Sequence, residues 1–478
     1  MLSHNINKKI TFFVSSIFLL CLTYFLSIEN YILWISPFIL ILFYLAIWHI
    51  RFLFYLVIFF TPFSMSLKDM GIDFNGLEMA FPTEPLLLGL MLLVMLHFIY
   101  RFSLYKKIFN NPTVVVLVLY LIWMLITCIT SSIPATSFKL FITRLWYILP
   151  IFLLGLFFLK EKKNFSKFTL LYVIPFSIVI LYTTFKHYLY FFDKQSAHYM
   201  MSPFFNDHTS YGAMIAFFIP LLIAVFLSNN KNKLVQSFLF ILLFIFFVGL
   251  ILSFSRAAWI SLLCASFMAI LVKLKLSIKS LASLVLVLFS FIFFFQSTIL
   301  GHLSNNRQDS SDNLIEHFTS LSNISTDASN MERINRWKCA IEMFKEKPLF
   351  GWGPGTYQFH YAPFQFSRDK TIISSNYGDA GNAHSEYLSA LSESGVIGLI
   401  LFLSLIGVIL VRTIVLFNKI NDPDIQRWLL AIFTSLMSYF IHGFFNNFLD
   451  TDKASVAIWA VIAIVVSIDL AYNKKALY

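Results

Sequence analysis

Residues 234–253 read LVQSFLFILLFIFFVGLILS, twenty positions with no charge and five phenylalanines. A stretch of about 20 apolar residues is what a helix needs to cross the hydrocarbon core of a bilayer. Three residues later, after Phe254 and Ser255, comes Arg256, and then a second apolar run to Lys273. Two long apolar runs joined by a few residues predict a transmembrane helical hairpin. The same reading, carried outward in both directions, predicts the rest of the fold.

Further apolar runs lie at 10–28, 31–48, 51–64, 85–100, 113–130, 146–159, 168–190, 210–228, 280–298, 385–412, 427–447 and 454–472. The expectation is an all-α, polytopic integral membrane protein with roughly twelve to fourteen spans. Composition agrees. Of 478 residues, 59% are hydrophobic and 12% are charged, against about 25% charged in soluble domains. The net charge of +11 does not point to nucleic acid, because Lys and Arg gather in short clusters between apolar runs.

Those clusters set the orientation. His49-Ile50-Arg51, Arg101 to Lys107, Lys160 to Lys167, Lys231 to Lys233, Lys273 to Lys279, Lys419 to Arg427 and the tail with Lys474 and Lys475 alternate with connections poor in Lys and Arg. Basic connections stay inside. Both termini are therefore expected in the cytoplasm. Asn7-Lys8-Lys9 precede an apolar run with no small-residue cleavage site, which predicts a retained first helix.

One connection, 299–384, is far longer than the others and polar. The expected organisation is 1–298 as N-terminal transmembrane helices, 299–384 as a large outer loop and 385–478 as C-terminal transmembrane helices. Within the loop, Met331, Ile334, Trp337, Ile341 and Phe344 recur at helical spacing and predict an amphipathic helix over 331–347. Its flanking Lys and Arg suit a helix lying on a membrane surface, with Glu332, Arg333, Arg336 and Lys338 as a solvated stripe. Pro348 and the run Gly351-Trp352-Gly353-Pro354-Gly355 end it in turns.

Charged groups at the outer mouths of spans are the candidates for chemistry. Arg144, in FITRLW, is read at the outer start of a span, and Arg256 in the tight turn FSRAAW. Either alone is explained equally well by snorkelling. The functional reading is a guanidinium gripping a phosphate with two parallel hydrogen bonds. His384 opens the span after the loop, with Asn382 as N-cap. The positive end of a helix dipole disfavours imidazolium, so a neutral general base is one role, and an interfacial histidine bonded to a loop carbonyl is the other. Asp207 suits capping of the helix that follows it. Arg333 and Arg336 are further candidates for touching a ligand. The four cysteines have no metal-ligand spacing, and no Walker, dinucleotide or HExxH motif is present. No cofactor and no metal are expected.

Four stretches together resemble the O-antigen ligase and polymerase superfamily of membrane glycosyltransferases. They are Phe205-Asn206-Asp207-His208-Thr209 leading to Ile219-Pro220; Phe254-Ser255-Arg256-Ala257-Ala258-Trp259; Arg336-Trp337 through Lys347-Pro348-Leu349-Phe350-Gly351-Trp352-Gly353-Pro354-Gly355; and Ala383-His384-Ser385-Glu386-Tyr387-Leu388 continuing to Gly398-Leu399. The resemblance covers about 110–470. It implies transfer of a glycan from undecaprenyl pyrophosphate on the periplasmic face of the inner membrane, without metal or ATP. The acceptor would be lipid A–core for a ligase, or a second lipid-linked repeat for a polymerase, with a chain-length regulator as a further partner. It implies His384 as the base and Arg256 and Arg144 as pyrophosphate ligands; Arg336, Arg333, Asp207 and Glu386 are further candidates for the site. Ser385 stands where the family usually has Asn. A polysaccharide flippase or transporter is the alternative of a different class; it would place ionisable groups near helix midpoints and show repeated halves.

Overall fold

The computed structural model describes residues 23–24, 44–46, 48–72, 79–228, 232–277, 279–280, 283, 328–366 and 381–475. The expected spans 10–28, 31–48 and 280–298 fall wholly or largely outside these residues, as do 299–327 and 367–380 of the long connection. The chain divides into two compact units, 1–56 and 57–478. In the first, Tyr44 stacks on Trp48, and the helix α1 (Ile50–Phe60) begins.

The second unit is built from α2 (Thr83–Tyr100), α3 (Pro112–Ile129), α4 (Pro134–Phe158), α5 (Lys162–Tyr188), α6 (His208–Ser228), α7 (Lys233–Leu252), α8 (Arg256–Lys273), α9 (Ala328–Glu346), α10 (Glu386–Lys419), α11 (Pro423–His442) and α12 (Asp452–Lys475). The described strands are a two-residue antiparallel pair, Met65–Ser66 with Ala80–Phe81. Among the described residues, nine helices are long and apolar enough to cross a membrane. The protein is thus a multi-pass, all-α membrane protein. The slightly more polar α11 runs alongside them.

Paired polar groups fix the direction of several helices. At one end, Lys162 at the start of α5 meets Asp422 before α11, Arg427 reaches Ser228 at the end of α6 (3.2 Å), and Asp469 of α12 binds Arg412 of α10 and Asn111 before α3. At the other end, Glu386 N donates to Gly443 O (2.9 Å), joining the start of α10 to the end of α11. There too Thr209 of α6 reaches Asn446 (3.5 Å). The long helices therefore alternate in direction from α2 to α8, and again from α10 to α12, while α8 and α10 run the same way. Arg101 to Lys107, Lys160 to Lys167, Lys233, Lys273 and Lys419 to Arg427 all come to the first end. The described part of the long connection leads into α10 at the second.

Burial sorts the helices. Nearly all of the apolar stretches of α6 and α12 are buried, whereas only about a third of those of α7 and α8 are. Phe238, Phe240, Phe244 and Phe247 of α7 point outward, a surface suited to lipid.

Two expectations are corrected. First, α4 begins at Pro134, not at 146. Proline at the first helical position is favourable, and the polar first turns Thr136 to Arg144 are helical although they lack an apolar run. Arg144 therefore lies well inside a helix, not at its start. Second, α9 does not present Glu332 and Arg336 to solvent. Its buried face is Glu332, Asn335, Arg336, Cys339, Ala340 and Met343, while Ile341 is exposed. Burial of Arg336 is possible because Glu332, one turn earlier, pairs with it at 2.7 Å. The helix packs on α10 through that polar face, so apolar periodicity alone pointed to the wrong side.

Helix α10 is broken at Gly395, whose φ of 69° and ψ of −173° are open essentially to glycine alone. The Gly351–Gly355 run fills the break. Val396 N donates to Pro348 O (2.9 Å), Trp352 N to Ser392 O (3.0 Å) and Gly353 N to Glu393 O (2.8 Å). A side chain at Gly351 would collide with the backbone at Glu393, and one at Gly395 with the carbonyl of Leu349. The loop's far side is held by Ser137 Oγ to Pro354 O (2.8 Å) and Ser132 N to Trp352 O (3.0 Å).

Candidate functional site

His384 sits between α9 and the start of α10 with a φ of 48°, in the left-handed region that a non-glycine residue occupies at a cost of about 1–2 kcal/mol. Its backbone is held from both sides. Its N–H donates to Asn382 Oδ1 (2.9 Å), and its carbonyl accepts from Trp337 Nε1 (3.2 Å). Asn382 is thus not the helix cap. Ser385 is, its side chain accepting from Leu388 N (3.4 Å). His384 lies just before the helix, not in its first turn, because the Asn382 turn and the Trp337 bond fix it in a conformation that cannot begin one.

Burial pushes the His384 imidazole down to about 4, with the Arg336 and Arg333 charges acting in the same direction and Asp207 and Glu332 opposing them. It is neutral at pH 7, so a ring nitrogen can take a proton.

Arg336 is the structural centre of this end. Its Nε binds Glu332, its Nη1 donates to Asn382 O (3.1 Å), and its guanidinium lies over the Tyr361 ring at 5.1 Å. Gly381, with φ of 84°, leaves room for it. Tyr357 Oη donates to Arg336 O (2.8 Å). Arg336 therefore holds the chain that presents His384. Arg333 acts electrostatically on both His384 and His442.

Asp207 caps α6, its Oδ1 accepting from Thr209 N (2.8 Å), Thr209 Oγ1 (2.6 Å) and Ser210 N (2.7 Å). Glu386 is buried, its Oε1 accepting from Tyr439 Oη (2.7 Å), Phe448 N (2.9 Å) and Leu449 N (2.8 Å). It fastens α10 to the turn after α11.

Arg256 is the first residue of α8, behind a turn in which Phe254 has φ of 48° and Ser253 Oγ accepts from Ser255 N (3.3 Å). That turn rests against Gly212 of α6, where a side chain would meet Ser253 and Ser255. Ser261 of α8 faces Ser438 of α11 (3.3 Å). Arg256, just over one turn before Ser261, is thus at the level of the end of α11, the same end of the bundle as His384. Arg144 is placed otherwise. It makes a two-point ion pair with Asp450 (Nε–Oδ1 2.5 Å, Nη2–Oδ2 2.8 Å), and its Nη1 donates to Tyr120 Oη (3.1 Å).

A cavity of about 390 Å³ opens at this end, lined in part by Asp207, Asn382, Asn447 and Asp450. Among the described residues no three His, Cys, Asp or Glu side chains converge as metal ligands.

The structure thus brings His384, Arg336, Arg333 and Asp207 together, with Glu386 beside them and Arg256 at the same end. It gives Arg144 to Asp450. Asp450, Asn447 and His442 were absent from the sequence reading. The run Asn446-Asn447-Phe448-Leu449-Asp450-Thr451-Asp452-Lys453, eight largely polar residues between two spans, was the signal for them.

Residues 241–403 match the family model described as O-antigen ligase, within the superfamily the sequence resembles. The match takes in Arg256, the described part of α9, the glycine run and His384, and it supports a membrane glycosyltransferase-like enzyme of the O-antigen ligase type. No curated protein matches the chain significantly.

Proposed function

We propose that the protein transfers a glycan from undecaprenyl pyrophosphate to a hydroxyl of a lipid A–core acceptor, at the periplasmic face of the bacterial inner membrane. The observation that carries this reading is the half-buried, neutral His384, fixed by Asn382 and Trp337 beside two arginines. The family match over 241–403 supports the reaction type. The gathering of basic connections at the opposite end supports the sidedness.

In this reading the acceptor O–H gives its proton to His384. The freed oxygen attacks the anomeric carbon, and the bond from that carbon to the pyrophosphate oxygen breaks, its electron pair leaving with the lipid pyrophosphate. A single displacement inverts the anomeric centre. Arg256, at a helix N-terminus whose amides also favour anions, and Arg333 stabilise the leaving charge. Arg144 joins them only by exchanging Asp450 for phosphate. The lipid tail lies against outward apolar faces such as that of α7. No cofactor takes part.

The test is a gel of surface glycolipids from a deletion strain with and without a plasmid copy. Bare core with long glycan stranded on the carrier lipid supports the ligase. Core with a single repeat makes the protein a polymerase. An unchanged ladder overturns the reading.

A further inference from the structure

The cavity and the arginines offer opposite chemistry. Four carboxyl side chains, Glu84, Asp207, Asp450 and Asp452, line the cavity with Lys453 and Asn447. Lys453 is committed to Ser64, donating to its carbonyl (3.0 Å) and hydroxyl (2.8 Å), and to Asp452 (3.5 Å). Arg144, which does not line the cavity, pairs with Asp450. Both cations are already committed to carboxylates or to Ser64, so among the described residues the carboxyl-rich lining offers a pyrophosphate no unpaired cation. Phe204, Phe205 and Phe448 add apolar surface to the lining.

A second observation is independent of charge. In the six residues 442–447, three side chains hold buried polar atoms with no hydrogen-bond partner among the described residues. They are both ring nitrogens of His442, Nδ2 of Asn446 and Oδ1 of Asn447. His442 and Asn446 are 1% and 3% exposed. Buried polar atoms are almost always partnered, so such a group in one turn points to a ligand or to bound water. The turn adjoins the cavity: Asn447 lines it, the His442 ring lies 5.8 Å from that of Phe448, and Asn446 meets Thr209 beside Asp207. A neutral imidazole offers one donor and one acceptor, Asn446 a donor and Asn447 an acceptor. Hydroxyl groups, which both donate and accept, match that set, and carboxylates accept from hydroxyls while rejecting anions.

We propose that this cavity and the 442–447 turn bind a neutral, hydroxyl-rich sugar ring. The role of the site, holding the glycan while the arginine side holds the pyrophosphate, rests on the transferase reading. The binding itself does not.

The experiment is saturation-transfer NMR on the full chain in lipid nanodiscs. The probes are neutral methyl pyranosides (hexoses, 6-deoxyhexoses and N-acetylhexosamines), methyl hexuronides and inorganic pyrophosphate. At least one neutral glycoside gives a signal, which excess pyrophosphate leaves in place and which falls at least tenfold in Asn447→Leu. The matching hexuronide gives none. Absence of signal from every neutral glycoside, equal signal from a hexuronide, or displacement by pyrophosphate overturns the proposal and leaves the turn to bound water. The pyrophosphate competition uses the unaltered protein, so misfolding of Asn447→Leu does not spoil the test. Sugar binding in a protein whose deletion leaves the surface glycolipids unchanged removes the transferase reading and keeps the site.

Discussion

The indole of Trp337 donates to the carbonyl of His384 at 3.2 Å, joining two residues 47 apart in the chain. This bond and the Asn382 turn fix a histidine backbone that would otherwise relax out of the left-handed region. Trp337→Phe keeps the ring and removes the bond, which is worth about 1 kcal/mol. Transfer is expected to fall about tenfold, since loss of orientation is costly for a positioned base. The check is the rate of glycan transfer by protein matched for amount and gel-filtration profile. An unchanged rate would separate Trp337 from the placement of His384.

His384 itself divides activity from stability. His384→Gly relieves the strain at φ of 48°. The variant is expected to abolish transfer while melting no lower than the parent, because relief of about 1 kcal/mol offsets the lost packing. Measured melting temperature and transfer together check it. Normal transfer would remove the assignment of His384 as base.

The pH dependence follows from the direction of the shift. Burial lowers the imidazole from 6.5 to about 4, so the folded protein holds it neutral. The stability this contributes is fully present above 6.5 and is lost as pH falls toward 4, because the unfolded chain takes up a proton that the folded one refuses. Transfer should show no acid limb centred on 6.5, and the limb due to His384 should lie near 4. A rate profile from pH 4 to 8 decides; a limb at 6.5 would mean a base that is exposed.

Gly395 carries a prediction about the break in α10. A methyl group there meets the Leu349 carbonyl, and the backbone conformation excludes it as well. Gly395→Ala is expected to lower stability by about 2 kcal/mol or more. It should also weaken the seat of the glycine run, seen as faster proteolysis after α9. Gly407, with open space around it, serves as the control, and Gly407→Ala should be neutral.

What the sequence made legible follows from the range of the forces involved. The described spans were readable because each is set by its own composition, and the turns of the glycine run because they are set locally; His384 and Arg256 were singled out from short stretches with a shared pattern. The polar face of α9 was not, since Glu332 and Arg336 look solvated until Asn382 and Tyr361 arrive from distant sequence. Arg144 was misplaced for the same reason. Its partner Asp450 is 306 residues away, and nothing local announces an ion pair of that span.

That pair also separates two roles for Arg144. As a structural cation, Arg144 offsets Asp450, and removing either partner alone strands a largely buried charge at a cost of about 3–5 kcal/mol. Asp450→Ala and Arg144→Ala should then both lower stability strongly. The double variant Arg144→Met with Asp450→Leu should recover most of that loss, since an apolar pair of similar volume is often no less stable. Transfer tells the roles apart. If Arg144 only supports the fold, the double variant regains transfer along with stability. If it exchanges Asp450 for the pyrophosphate, the double variant folds but stays inactive. The arrangement in the structure, with both carboxylate oxygens of Asp450 taken up by one guanidinium and Tyr120 holding its third nitrogen, favours recovery. Arg256→Ala, at the first position of α8, should instead lose donor binding. Chemical denaturation and transfer rates on the same four proteins decide between the two roles.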